Sequence, residues 1–93
     1  MLKSFKHKGL KELYETGRTA KINQQMHERI IRRVDALVSA TKPEDMNLPG
    51  FDFHALQGFD PTRYSVHVNG PWCITFEFDE QGNVLRVNFE QYH

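Results

Sequence analysis

Between Tyr64 and Phe78 the chain alternates apolar and polar residues on both sides of an Asn69-Gly70 pair. Tyr64, Val66 and Val68 interleave with Ser65, His67 and Asn69, and Trp72, Ile74 and Phe76 interleave with Cys73, Thr75 and Glu77. A period of two around a turn dipeptide predicts a hairpin with one buried face, and Pro71 lengthens its loop past two residues. After a turn at Glu80-Gln81-Gly82-Asn83, Leu85, Val87 and Phe89 predict a further strand over residues 84–90. Upstream, Phe51 to Leu56 predicts a first strand, closed by the turn Gly58-Phe59-Asp60-Pro61. An antiparallel meander of this kind needs something to cover its apolar face.

The first half supplies that cover, because its period is helical. Leu10, Leu13 and Tyr14 fall at i, i+3 and i+4, and Gly17 stands where helices often end. A longer helix is expected from Asn23, an acceptable N-cap, to Ser39, with Met26, Ile30, Val34, Leu37 and Val38 as its apolar stripe. Thr41-Lys42-Pro43-Glu44 has capping-box spacing and predicts one more helical turn. MLKSFK, with Leu2 and Phe5 apolar between lysines, reads as a short edge strand. The expected fold is therefore α+β: two N-terminal helices packed on a small antiparallel sheet, in the order β-α-α and then the meander.

Length and composition set the frame for function. Ninety-three residues suit one domain, residues 1–93, and 39% hydrophobic with 26% charged residues describes a globular chain rather than a disordered one. No apolar run approaches the ~20 residues of a membrane span, and MLKSFKHKG has no signal-peptide core. The lone Cys73 has no internal disulfide partner, which fits a reducing cytoplasm. The zero net charge hides a split, since residues 1–33 hold nine Lys or Arg against three Glu, and residues 34–93 reverse that balance. A basic helical half suits a phosphate backbone or an acidic partner, and it also suits a plain solvated face.

Five histidines are the main catalytic resource, because imidazole can act as acid or base near neutrality. None has metal-ligand spacing, so neither a metal nor a cofactor is expected. Cys73 could pair with His67 on the adjacent strand as a thiol and its base, or simply fill the strand. Parity adds one constraint. If Trp72, Ile74 and Phe76 face the helices, then Ser65, His67, Asn69, Cys73, Thr75 and Glu77 share the opposite, polar face.

The stretch MLKSFKHKGLKELYETG, the FHALQG around His54, the YSVHVNGPWCITFEF hairpin and the closing EQYH together resemble the HigB toxins of the RelE/ParE-like superfamily. The resemblance spans the whole chain. It implies a ribosome-dependent endoribonuclease that cuts mRNA. It also implies a HigA-like helix-turn-helix antitoxin as partner, with operator DNA bound through the antitoxin complex. The family pattern H-P-L-K-G reads here His54-Ala55-Leu56-Gln57-Gly58, W-R-I-T-F reads Trp72-Cys73-Ile74-Thr75-Phe76, and E-D-Y-H reads Glu90-Gln91-Tyr92-His93. The histidines and the tyrosine match, whereas a lysine, an arginine and an aspartate have become Gln57, Cys73 and Gln91.

The resemblance thus implies a catalytic group of His54, Tyr92 and His93. RNA contacts are expected at Gln57, Cys73 and Gln91, and at Arg63, one of two arginines able to reach the phosphate (Arg86 is the other). Arg29, Arg32 and Arg33 form the expected ribosome or antitoxin surface. Two further readings stay open: a toxin-derived protein that binds antitoxin without cutting, and a superfamily member acting on gyrase, against which His54 and the Tyr-His pair argue.

Overall fold

The computed structural model describes residues 1–91; Tyr92 and His93, two of the three expected catalytic residues, lie outside the described residues. Two helices, α1 (Lys8–Thr16) and α2 (His27–Ser39), pack on one face of an antiparallel sheet. Its strands are β1 (His54–Leu56), β2 (Arg63–Asn69), β3 (Trp72–Phe78) and β4 (Val84–Gln91), side by side in chain order. The fold is α+β, as the two periodicities require.

The opening SFKHKGL has a local physical explanation. His7 caps α1, its Nδ1 accepting the Leu10 N–H at 3.0 Å, and its ring meets Phe89 of β4 edge-on at 5.9 Å. A Cβ at Gly9 would stand 2.7 Å from the Lys21 side chain and 2.9 Å from the His7 ring, so glycine makes room for the folded-back cap. Gly17, at φ 85°, ends α1 in the left-handed conformation open to glycine. A 3-10 turn, Gln24–Met26, capped by Asn23, precedes α2. Met26, Ile30, Val34 and Leu37 enter the core, but Val38 stays 38% exposed and leaves the expected stripe.

Three departures share a backbone cause. Leu2 and Phe5 make isolated parallel bridges to Val84 and Val87, so the N-terminal segment lines the edge of β4 without forming a regular strand. The ladder breaks because Arg86 adopts φ 51° and bulges out of β4, its N–H bonding the Ser4 hydroxyl at 2.9 Å. The same bulge reverses the parity of the strand's first side chains. Val84 is therefore fully buried, and Leu85 sits opposite Glu77 rather than joining Val87 and Phe89 inside.

The expected strand over 51–56 shrinks to three residues. Asp52, at φ 47°, turns the chain out of extended geometry, and the Phe51 carbonyl instead accepts the His67 N–H at 2.6 Å. Aspartate is among the few residues that adopt this region readily. His54, two residues beyond the turn, opens β1.

Candidate active site

The hairpin register assembles the polar face in rows. Ser65 lies opposite Thr75, which lies opposite Asn88, and His54 of β1 pairs with Ser65 to complete that row. In the next row His67 lies opposite Cys73, and Cys73 opposite Glu90. Ser65, Cys73, Thr75 and Glu77 are all buried, so the floor of this face is small and polar. The expected parity holds for Ser65, His67, Cys73, Thr75 and Glu77 and fails at Asn69, which a bulge after His67 sets opposite Trp72.

His54 has a defined tautomer. Its Nδ1 stands 2.9 Å from the carbonyl of Asp52. A carbonyl only accepts, so Nδ1 carries the proton and Nε2 is the basic nitrogen. The left-handed turn at Asp52 aims that carbonyl back at the ring. His54 and His67 both line a pocket of about 90 Å³, with Asp52, Ser65, Gly70, Pro71, Trp72 and Cys73. That is well below the ~300–1,000 Å³ of small-molecule sites, and it suits a phosphate or ribose rather than a whole nucleotide.

The other expected contacts are dispersed. Gln57 is exposed in the turn after β1. Cys73 is buried, its thiol 3.5 Å from the Glu90 carbonyl, and burial pushes its pKa up, with the Glu90 charge adding to the rise against a hydrogen bond to Ser65. Gln91 pairs with Trp72, one position out of phase with the Cys73–Glu90 pair, so it belongs to the face opposite His54. Glu90 is the carboxylate of β4 that reaches the polar face, accepting hydrogen bonds from Thr75 and, at 3.2 Å, from Asn88. Arg63 lies between Glu77 at 3.8 Å and Glu90 at 3.9 Å, with its guanidinium over the Phe59 ring, and Arg86 bonds Glu77 at 2.9 Å.

The three arginines of α2 separate. Arg32 is exposed and pairs with Glu28 at 2.6 Å, and Arg29, also exposed, bonds the Val68 carbonyl at 3.1 Å. Arg33 is only 7% exposed, which corrects its expected surface position. Its guanidinium donates to the carbonyls of His67 at 2.7 Å, Arg29 at 3.1 Å and Gly50 at 3.1 Å, and lies over the Phe51 ring at 4.5 Å. Burial, and then the charges of Arg29 and Arg32, lower its pKa from the ordinary arginine value. Arg33 thereby ties the segment before His54 to β2, a role its sequence position on the polar helix face did not disclose.

Among the described residues no group of three or more His, Cys, Asp or Glu is placed to hold a metal ion, and no helix is long and apolar enough to cross a membrane. A family model described as the RelE-like toxin of type II toxin–antitoxin system HigB matches residues 3–93. The endoribonuclease HigB of Proteus vulgaris is 40% identical over 93 residues, covering 100% of both chains.

Proposed function

The chain belongs to the HigB-like toxins, RelE-like proteins of type II toxin–antitoxin systems, and from that premise we propose that it is an endoribonuclease that cuts mRNA on the ribosome. The observation that carries this reading is the fixed tautomer of His54 in a pocket of phosphate size. The ribose 2′-OH gives its proton to Nε2 of His54 as its oxygen attacks the adjacent phosphorus. The bond to the 5′-oxygen breaks, and that oxygen takes a proton from an acid, a role assigned to His93 from the family pattern. The products are a 2′,3′-cyclic phosphate and a 5′-hydroxyl. Tyr92 is assigned to stacking or hydrogen bonding beside them.

Arg29 and Arg32, which remain at the surface of α2, are assigned to ribosomal RNA or to an acidic segment of the antitoxin. The antitoxin is expected to be HigA-like, and operator DNA is bound through the complex rather than by this chain. The neutral residues at Gln57 and Cys73 favour a second reading, a protein that keeps antitoxin and ribosome binding and cuts weakly or not at all.

One experiment separates the two readings. The wild-type protein and His54→Ala are induced in bacteria at equal level, with growth and mRNA 5′ ends followed together. Growth arrest with new 5′ ends, lost in His54→Ala, supports the enzyme, since a general base contributes about 10²–10⁴ in rate. Antitoxin binding without arrest or new ends supports the inactive module.

A further inference from the structure

A phosphodiester passing through pentacoordinate phosphorus gathers negative charge on its non-bridging oxygens, and an effective site sets a positive group beside them. Among the described residues, no lysine or arginine lines the pocket beside His54. Arg63 and Arg86 are paired with Glu77 and Glu90. Cys73 in the floor is a buried thiol without charge. One other pocket side chain can become a cation. Building on the endoribonuclease reading, we infer that His67, as imidazolium, is the phosphate-binding cation of the His54 pocket.

Register puts the two rings together. His54 pairs with Ser65, and His67 lies two positions further along β2 on the same face. Diagonal neighbours of this kind are about 7–8 Å apart, a gap that one ribose-phosphate can fill. The ring of His67 is anchored at one nitrogen. Its Nε2 lies 3.1 Å from the carbonyl of Gly70, so Nε2 carries a proton and donates it. A proton on Nδ1 would donate to a phosphate oxygen without breaking that bond.

The two imidazoles therefore present opposite chemistry. His54 bonds a carbonyl through Nδ1 and keeps Nε2 as the base, whereas His67 bonds a carbonyl through Nε2 and takes its charge at Nδ1.

The backbone beneath His67 is fixed on both sides. Its N–H donates to Phe51 at 2.6 Å, and its carbonyl receives Arg33 at 2.7 Å. Lining the same pocket are Asp52 and His54 from the β1 side and Cys73 on β3; Glu90 lies beyond Cys73 on β4, and Arg29 and Arg33 approach the β2 backbone from α2. His67 transfers no proton in this role; it holds the non-bridging oxygens while His54 takes the 2′ proton.

The test compares single-turnover cleavage of ribosome-bound mRNA by the wild-type protein, His67→Gln, His67→Arg and the double variant His67→Gln/Cys73→Arg. Cys73 lies directly across the ladder from His67, so the double variant returns a cation from the facing strand. Loss of a preorganised electrostatic donor lowers the rate by about 10²–10³, and that is the expected effect of His67→Gln. His67→Arg, which retains a charge, should stay within about tenfold of wild type, and the double variant should regain part of the loss.

An active wild type with an unimpaired His67→Gln overturns this inference alone. So does an equal loss in His67→Gln and His67→Arg when both melt like the parent, because the role would then not be one of charge. Should the buried Cys73 site reject arginine, as a lowered melting temperature would show, His67→Arg decides the question. A wild type that leaves mRNA intact overturns the endoribonuclease reading, and this inference with it.

Discussion

Replacing Arg33 by methionine removes the guanidinium while keeping most of the apolar stem, and the structure allows its cost to be worked out. Two of the three accepting carbonyls, His67 at 2.7 Å and Gly50 at 3.1 Å, connect β2 to the loop before β1. Hydrogen bonds to charged groups contribute about 1.5–3 kcal/mol each. The third acceptor, Arg29, stands one helical turn earlier on the same helix, where the α-helical ladder already uses its carbonyl, so it adds less. The contact with Phe51 adds roughly 0.5–2 kcal/mol.

Against these stands the cost of taking a guanidinium out of water beside Arg29 and Arg32, which the lowered pKa registers. The net loss is about 2–4 kcal/mol, which for a domain of this size lowers Tm by on the order of 10–25 °C. Arg33→Lys should lose nearly as much, because one ammonium cannot serve carbonyls in separate segments. Thermal melting supplies the magnitude, and hydrogen exchange at the His67 amide, which bonds Phe51, reports whether the loop is released. A Tm within about 3 °C of wild type, or an unchanged His67 amide, would refute the view that Arg33 holds this loop.

Two further outcomes rest on the same geometry. His7 accepts a hydrogen bond through Nδ1, and burial, then the Lys21 charge, lowers its pKa below the ordinary 6.5. The unfolded chain therefore binds the extra proton first, so stability is full above pH 6.5 and declines as pH falls through that value toward the folded pKa. His7→Asn, which keeps a cap acceptor, should flatten the decline below pH 6.5 in denaturant titrations, while His7→Ala should cost about 1 kcal/mol near neutral pH; an acid decline unchanged in His7→Asn would place its origin elsewhere. Replacing Arg29 and Arg32 together by Gln should lower Tm, because Arg29 loses its bond to the Val68 carbonyl, and reduce the slope of log ribosome affinity against log salt by up to ~1.8, taking ~0.9 per phosphate contact; an unchanged slope would assign these arginines to solvent or antitoxin.

The elements most legible in the sequence were those whose side chains report their surroundings through period alone. The strands of the Tyr64–Phe78 hairpin and the helical stripe from Met26 to Leu37 read correctly because buried apolar residues recur at the spacing of their backbones. The hairpin loop, however, is the two residues Gly70 and Pro71 rather than longer, because a bulge after His67 sets Asn69 opposite Trp72. The bulge at Arg86 was illegible because its cause is a backbone angle and a hydroxyl 82 residues away, and it alone exchanges Val84 for Leu85 in the core. Arg33 was misplaced because helical polarity counts a guanidinium as solvent-facing, whereas this one binds carbonyls delivered by residues 17 and 34 positions distant. In the site, alternation gave the face of His67 and Cys73, and resemblance singled out His54. The tautomers of both rings depend on carbonyls at Asp52 and Gly70, which no pattern of side chains encodes.

The most direct test of the account reads the ends left on the RNA. Purified protein is mixed with ribosome-bound mRNA under single-turnover conditions, and the termini of the fragments are identified chemically. Attack by the 2′-OH with His54 as base predicts a 2′,3′-cyclic phosphate on the upstream fragment and a 5′-hydroxyl on the downstream one, both disappearing in His54→Ala. A 3′-hydroxyl with a 5′-phosphate would mean that water, not the ribose, attacks, and would contradict the account at its centre.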